Sequence, residues 1–170
     1  MLWGLWYVGY TRGEYQTAHA RAQDLLAAAH AGEDTGRLLE AHHALWATLS
    51  AMGEPAATVP HTQRGIALYD RDRDATQMFV YGGHDSGVCC RHTLGLNRWL
   101  LGYPDQALLA MRDASRLSDE LQHPMTSVIT LWYTAWLHYQ RGDWEGAEIA
   151  ERLARSSMPT TSRALSSRGS

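Results

Sequence analysis

Arg12-Gly13-Glu14-Tyr15 followed by Ala18, and Arg141-Gly142-Asp143-Trp144 followed by Ala147, are the stretches that decide the fold of this 170-residue chain. The same punctuation returns at Gly53-Glu54-Pro55 with Thr58 and at Gly102-Tyr103-Pro104 with Ala107. The four glycines fall 40, 49 and 40 residues apart. A turn between antiparallel helices needs a residue that leaves the helix with a left-handed backbone, and glycine does so without a Cβ clash. Pro55 and Pro104 stand where a first-turn proline loses no hydrogen bond. Ala18, Thr58, Ala107 and Ala147 fall one turn into the second helix, where the pair crosses and bulk would hold the backbones apart. Four matched copies read as four helix–turn–helix units, and hence as an all-α repeat array.

The runs between the turns carry helical periodicity. Leu38, Leu39, His42, Leu45, Trp46 and Leu49 mark one face, and Leu131, Ala135, Leu137 and Tyr139 mark another. Asp34 or Thr35 can cap a helix start, and Pro124 can open one. The spacing predicts eight helices over approximately 2–12, 15–30, 35–52, 55–69, 86–101, 104–122, 125–141 and 144–156. Thr76–Tyr81 is the one short candidate for a strand.

Composition narrows the class. Hydrophobic residues make up 45% and charged residues 19%, which suits a globular domain. No run reaches the roughly 18 apolar residues of a membrane span, and Met1-Leu2-Trp3 lacks the basic segment of a signal peptide, so a cytoplasmic location is expected. Net charge is −3, and the 15 basic residues are all arginine, scattered with no stripe for nucleic acid. Adjacent Cys89 and Cys90 suit reduced thiols better than a disulfide. Trp3, Trp6 and Tyr7 in a first helix without a polar cap look exposed, and suggest that more protein precedes residue 1. The division expected is a helical domain over 1–156 and a disordered Ser/Thr/Arg-rich tail over 157–170.

The turns, together with Leu94-Gly95 in a first helix, resemble the tetratricopeptide family of helical hairpins. Trp6 and Trp46 depart from it, standing where Gly95 and Ala135 are small, and the period exceeds the family's unit of about 34 residues. A longer string is more specific. Tyr81-Gly82-Gly83-His84-Asp85-Ser86-Gly87-Val88-Cys89-Cys90-Arg91, then Trp99 to Leu108, with Gly65 to Asp70 upstream, resembles the C-terminal helical region of bacterial proteins that join a class III adenylate/guanylate cyclase domain to a P-loop ATPase. The resemblance covers residues 2 to 156 and implies a TPR-like solenoid of four antiparallel hairpins. It implies a non-catalytic regulatory or protein-interaction arm, whose partner is a protein, a peptide or its own cyclase/ATPase domains. The chain itself holds neither engine: a P-loop needs a lysine, and there is none.

Residues 67 to 92 break the repeat and are where chemistry would sit. His84, Cys89, Cys90 and His92 are all legitimate zinc ligands, but Cys89 and Cys90 point about 100° apart on a helix. The plainer reading has Asp85 or Ser86 capping a helix, with no metal and no cofactor. The Asp–Arg alternation at 70–74 reads as a solvated loop, and His42-His43 as a half-buried helix face. Gly83-His84-Asp85-Ser86-Gly87 echoes a nucleophile elbow without the strand that must precede one. Trp132, Trp136 and Tyr139 form a stripe that suits packing between repeats, or a groove for a partner.

The function expected is therefore protein or peptide binding on the face made by the first helix of each pair, with His42, Trp46, Arg91, Arg98, Trp132 and His138 as candidate contacts. No catalytic residue, nucleic acid or membrane is expected. Two rivals remain open: the effector arm of a transcription activator, and a thiol- or metal-dependent enzyme centred on His84, Asp85, Cys89 and His92.

Overall fold

A computed structural model describes residues 2–157 apart from 33 and 75. Among these residues the chain is helical throughout, with no strand. The elements are α1 (Leu2–Thr11), α2 (Tyr15–Ala31), α3 (Thr35–Ala51), α4 (Pro55–Leu68), α5 (Arg71–Asp74), a 3₁₀ turn (Gln77–Phe79), α6 (Ser86–Leu100), α7 (Pro104–Leu121), α8 (Pro124–Gln140) and α9 (Trp144–Ser157). The eight helices read from periodicity are all present, and α5 and the 3₁₀ turn are additions. Thr76–Tyr81 is no strand; its centre closes the 3₁₀ turn through Val80 N–H donating to the Gln77 carbonyl. The tail expected over 157–170 lies outside the described residues, except that Ser157 closes α9.

The four turns are built alike. Gly13, Gly53, Gly102 and Gly142 take φ of 75°, 77°, 82° and 71°. In each, the glycine N–H bonds back three residues and the next N–H bonds back five: Gly13 to Tyr10 and Glu14 to Gly9, Gly142 to Tyr139 and Asp143 to His138. These bonds satisfy the last carbonyls of the first helix and reverse the chain in two residues. Starts are capped as read: Asp34 accepts from Arg37 N–H at 3.0 Å, and Asp85 from Val88 N–H at 2.8 Å.

Each helix packs on its sequence neighbour, while α4 skips the short α5 to pack on α6. The first helices also contact one another, α1 on α3, α3 on α6 and α6 on α8. The crossing residues behave as their size requires. Ala18, Thr58 and Ala107 are wholly buried. A Cβ on Gly95 would lie 3.1 Å from the Ala107 carbonyl oxygen.

Two sequence readings change here. Trp6 is not exposed but buried, its indole N–H donating to Thr48 Oγ1 at 2.9 Å, so α1 is fastened to α3. Residues 71–74 form the short α5 instead of a loop, with residues 70–73 exposed as read. Asp74 is buried, and its carboxylate takes both Arg73 nitrogens at 2.7 Å and the Asp70 N–H at 2.9 Å.

Trp46 is wholly buried seven residues before its turn glycine, where α6 has Gly95 and α8 has Ala135, and α4 makes room for it with Gly65. A Cβ at Gly65 would come within 2.5 Å of Trp46 Cζ3 and 3.2 Å of Cys90 Cβ. Gly65→Ala should therefore lower stability by about 1–3 kcal/mol through overpacking. The backbone entropy that a Gly→Ala change removes from the unfolded chain would predict a small gain instead, so urea melts of the two proteins give opposite signs for the two effects.

Candidate functional site

The first helices enclose a groove with a cavity of about 410 Å³, whose wall comes from α1, α3, α6, α8 and the Gly82–His84 loop. Its N-terminal half is aromatic. Trp3, Trp6, Tyr7 and Tyr10 line it from α1 and Trp46 from α3, and Tyr133 of α8 faces the cavity from the other end. Trp6 stacks on Tyr10 with ring centroids 5.3 Å apart, and Tyr133 stacks on His92 at 3.9 Å. Rigid aromatic rings cover apolar area with little loss of entropy, which makes such walls effective binding surfaces.

A polar cluster lies in the floor. Glu40 and His43 stand three residues apart on α3, which puts both side chains on one helix face. Glu40 Oε2 lies 3.0 Å from His43 Nδ1, and Glu40 Oε1 accepts from Ser86 Oγ at 2.6 Å. On the other side of the ring, His43 Nε2 lies 3.4 Å from Cys89 Sγ. His84 adds a second imidazole, edge-on to His43 at 5.2 Å, with its Nδ1 3.2 Å from the Gly82 carbonyl oxygen. Glu40, His43, Ser86 and Cys89 are all buried.

Burial alone would raise the Cys89 thiol. The charges and hydrogen bonds of His43 and His84 outweigh it and hold the thiol well below its usual value. Burial likewise works against a charged His43, but Cys89 and then Glu40 raise it. The cluster thus sets a thiol whose ionised form is favoured beside an imidazole whose protonated form is favoured, with the Glu40 carboxyl group on the far side of the ring. Chemically it can present a nucleophile or, with three ligating atoms within 4.8 Å of one another, hold a soft metal ion.

The residues singled out from sequence scatter. Trp46 lines the groove. His42 does not: it is buried toward α4, with Nδ1 2.9 Å from His61 Nδ1. His42-His43 is therefore not a half-buried face, since its two rings are buried in opposite settings. Arg91 lies over the Tyr69 ring at 5.7 Å and donates to the Gly87 carbonyl, and Arg98 lies over Tyr103 at 5.6 Å. His138 pairs with Asp143 at 2.7 Å and lines a separate cavity between α7 and α8. Trp132 and Tyr139 are exposed, whereas Tyr133 and Trp136 of the same helix are half-buried. Of the ligands considered from sequence, His84 and Cys89 meet. Cys90 instead turns into the α4–α6 contact and donates to the Gly87 carbonyl, and His92 is stacked away on Tyr133. His43 takes their place; the Glu40-x-x-His43 spacing was the sequence signal for it.

No family model matches the chain. It is similar to the uncharacterized protein R02095 of Rhizobium meliloti (strain 1021), with 27% identity over 153 residues, or 89% of this chain. The chain spans 15% of the length of that relative.

Two buried histidines make stability depend on pH. Burial pushes His92 down to about 4, and burial followed by the His61 and Arg64 charges does the same to His42. The unfolded chain takes up these protons near pH 6.5, the folded chain only near 4, so the contribution of these two residues is whole above about 6.5 and falls as pH drops through that window. For His92 the loss by pH 4 is on the order of 3 kcal/mol. His92→Phe, which keeps the stack on Tyr133, should flatten the fall in urea midpoint between pH 7 and 4.5; an unchanged slope would contradict the assignment.

Proposed function

We propose that this chain is a tetratricopeptide-like helical-repeat arm that binds an extended protein segment in its concave groove, as part of a bacterial cyclase/P-loop ATPase signalling protein acting in the cytoplasm. The observation that carries the reading is the groove itself. Its wall is drawn from the first helix of each pair, aromatic in its N-terminal half, and spans all four hairpins. Support also comes from the four matched glycine turns, whose repetition stacks hairpins side by side. The one-way packing of helices on their sequence neighbours agrees with a solenoid, and the greater length of the Rhizobium relative leaves room for the domains that such an arm would serve. No helix among the described residues is long and apolar enough to cross a membrane.

The candidate contacts divide accordingly. Trp46 belongs to the groove, and Leu96 beside it on α6 is a half-buried apolar lining residue. Arg91 and Arg98 hold Tyr69 and Tyr103 and serve the helix packing first. Trp132 and His138 belong to the α7–α9 end, where a second partner surface would lie.

A peptide array displaying short segments of the Rhizobium relative's remaining sequence tests the reading. Selected peptides should lose tenfold or more in affinity to Leu96→Asp, with helicity unchanged by circular dichroism, and should keep binding an Arg91→Ala/Arg98→Ala double variant. Peptides that bind Leu96→Asp as well as the parent place the contact outside the groove and defeat the proposal.

A further inference from the structure

A groove that takes a peptide has no use for a buried carboxylate, two imidazoles and a thiol in its floor, yet the described residues gather them there. The donor atoms of His43, His84 and Cys89 lie within 4.8 Å of one another, and Cys89 Sγ stands 3.4 Å from His43 Nε2. A tetrahedral zinc ion with bonds of about 2.3 Å to sulfur and 2.0–2.1 Å to nitrogen holds those two donors about 3.5 Å apart. That edge is already at its bound length.

Orientation is set as well as distance. A metal-bound histidine offers one nitrogen to the ion while the other is held by a carboxylate or a carbonyl, which fixes tautomer and ring angle. Both rings meet that condition. His43 Nδ1 faces Glu40 Oε2 at 3.0 Å, and Glu40 is itself fixed by Ser86 Oγ at 2.6 Å. His84 Nδ1 faces the Gly82 carbonyl oxygen at 3.2 Å. Each ring is left with Nε2 as its ligating nitrogen.

We infer that Cys89, His43 and His84 form a binding site for a soft divalent cation of the zinc type, with three protein ligands and a fourth position open to the groove. One thiolate and two imidazoles suit zinc better than the oxygen-seeking magnesium or calcium. The competing arrangement, a nucleophilic thiol, needs His43 and Glu40 and leaves His84 without a part; the third convergent donor decides between them. Cys90 and His92 are excluded by where they point. The ligands come from α3, the Gly82–Asp85 loop and α6, so the ion would fasten the segment that interrupts the repeats onto the array, and its binding free energy would add to folding. None of this rests on the groove's taking a peptide.

The test is a cobalt(II) titration of the full chain after chelator treatment, with zinc competition. One equivalent should bind, with a thiolate-to-cobalt charge-transfer band and the intense visible bands of a tetrahedral ion. Cys89→Ser should abolish the charge-transfer band, His84→Ala should weaken binding at least tenfold, and Cys90→Ser should leave both. Glu40→Gln should weaken binding about 10- to 100-fold, as loss of an outer-shell carboxylate does. On the parent protein, where folding of a variant is not at issue, equimolar zinc should raise the thermal midpoint and block alkylation of Cys89. A charge-transfer band that survives Cys89→Ser, a titration with no defined stoichiometry, or alkylation of Cys89 undiminished by zinc would each overturn the site. No readout involves a peptide, so failure here leaves the groove reading standing, and the reverse.

Discussion

A helix that ends on a glycine with positive φ, followed at once by a residue bonded back across the last turn, leaves the chain no option but to run back alongside itself. Gly13, Gly53, Gly102 and Gly142 impose this constraint at matched points, with φ between 71° and 82°. A Cβ at Gly13, Gly53, Gly102 or Gly142 would meet nothing within 4 Å. The requirement is therefore one of backbone conformation and not of space. Because the reversal takes two residues, the helices of a pair lie close from their first turn, and a small residue must follow at the crossing. Ala18, Thr58 and Ala107 answer that need and are wholly buried. Turn chemistry thus dictates side-chain size five residues on, and the repeat is the visible trace of that coupling.

The buried polar cluster obeys a different rule. A carboxylate at 2% exposure, such as Glu40, is costly unless its oxygens are matched by donors. One oxygen takes the Ser86 hydroxyl and the other the His43 ring, which in turn meets the Cys89 sulfur. Removing any member strands the next in a dry setting, so the four side chains behave as a unit. Asp85 makes a second such anchor: it caps α6, accepts from Tyr69 Oη at 3.0 Å and, through its N–H, bonds Thr126 Oγ1 on α8 at 3.1 Å. The start of α6 is thereby fixed to the end of α4 and to α8, which is why Cys89, one turn further along, arrives at His43 with defined geometry.

The turns, caps and helix runs were legible because each depends on neighbours within about five residues. Asp34 and Asp85 cap as their sequence contexts indicate, and Pro55, Pro104 and Pro124 stand in first helical turns. The site was only half legible. His84 and Cys89 share one stretch and could be singled out together, whereas His43 lies 46 residues before Cys89 and meets it only through the α3–α6 packing. A separation of 19 residues likewise hid the fate of His42, whose partner His61 comes from α4. Exposure was misread for Trp6 because its partner lies on another element, and for Asp74 because the fold-back of its own segment is not visible in the Asp–Arg alternation. Thr48 receives the Trp6 N–H, and Arg73, folded back by the short α5, neutralises Asp74.

The departures from the repeat pattern shape the groove more than its matches do. At the position seven residues before each turn glycine, α6 has Gly95 and α8 has Ala135, whereas α1 has Trp6 and α3 has Trp46. Where the residue is glycine the two helices close up, as the 3.1 Å approach of a Gly95 Cβ to the Ala107 carbonyl shows, and nothing projects into the groove. Where it is tryptophan the ring needs volume, supplied for Trp46 by Gly65 on α4, and its face becomes part of the groove wall. Trp46 then stacks on His43 at 4.8 Å, and Trp3 covers the same ring at 5.5 Å. The exchange of small for large thus does two things at once: it makes one half of the groove aromatic, and it helps to wall His43 so that its polar edge meets Glu40, Ser86, Cys89 and His84. The aromatic wall and the ligating cluster are two consequences of the same substitutions in the repeat.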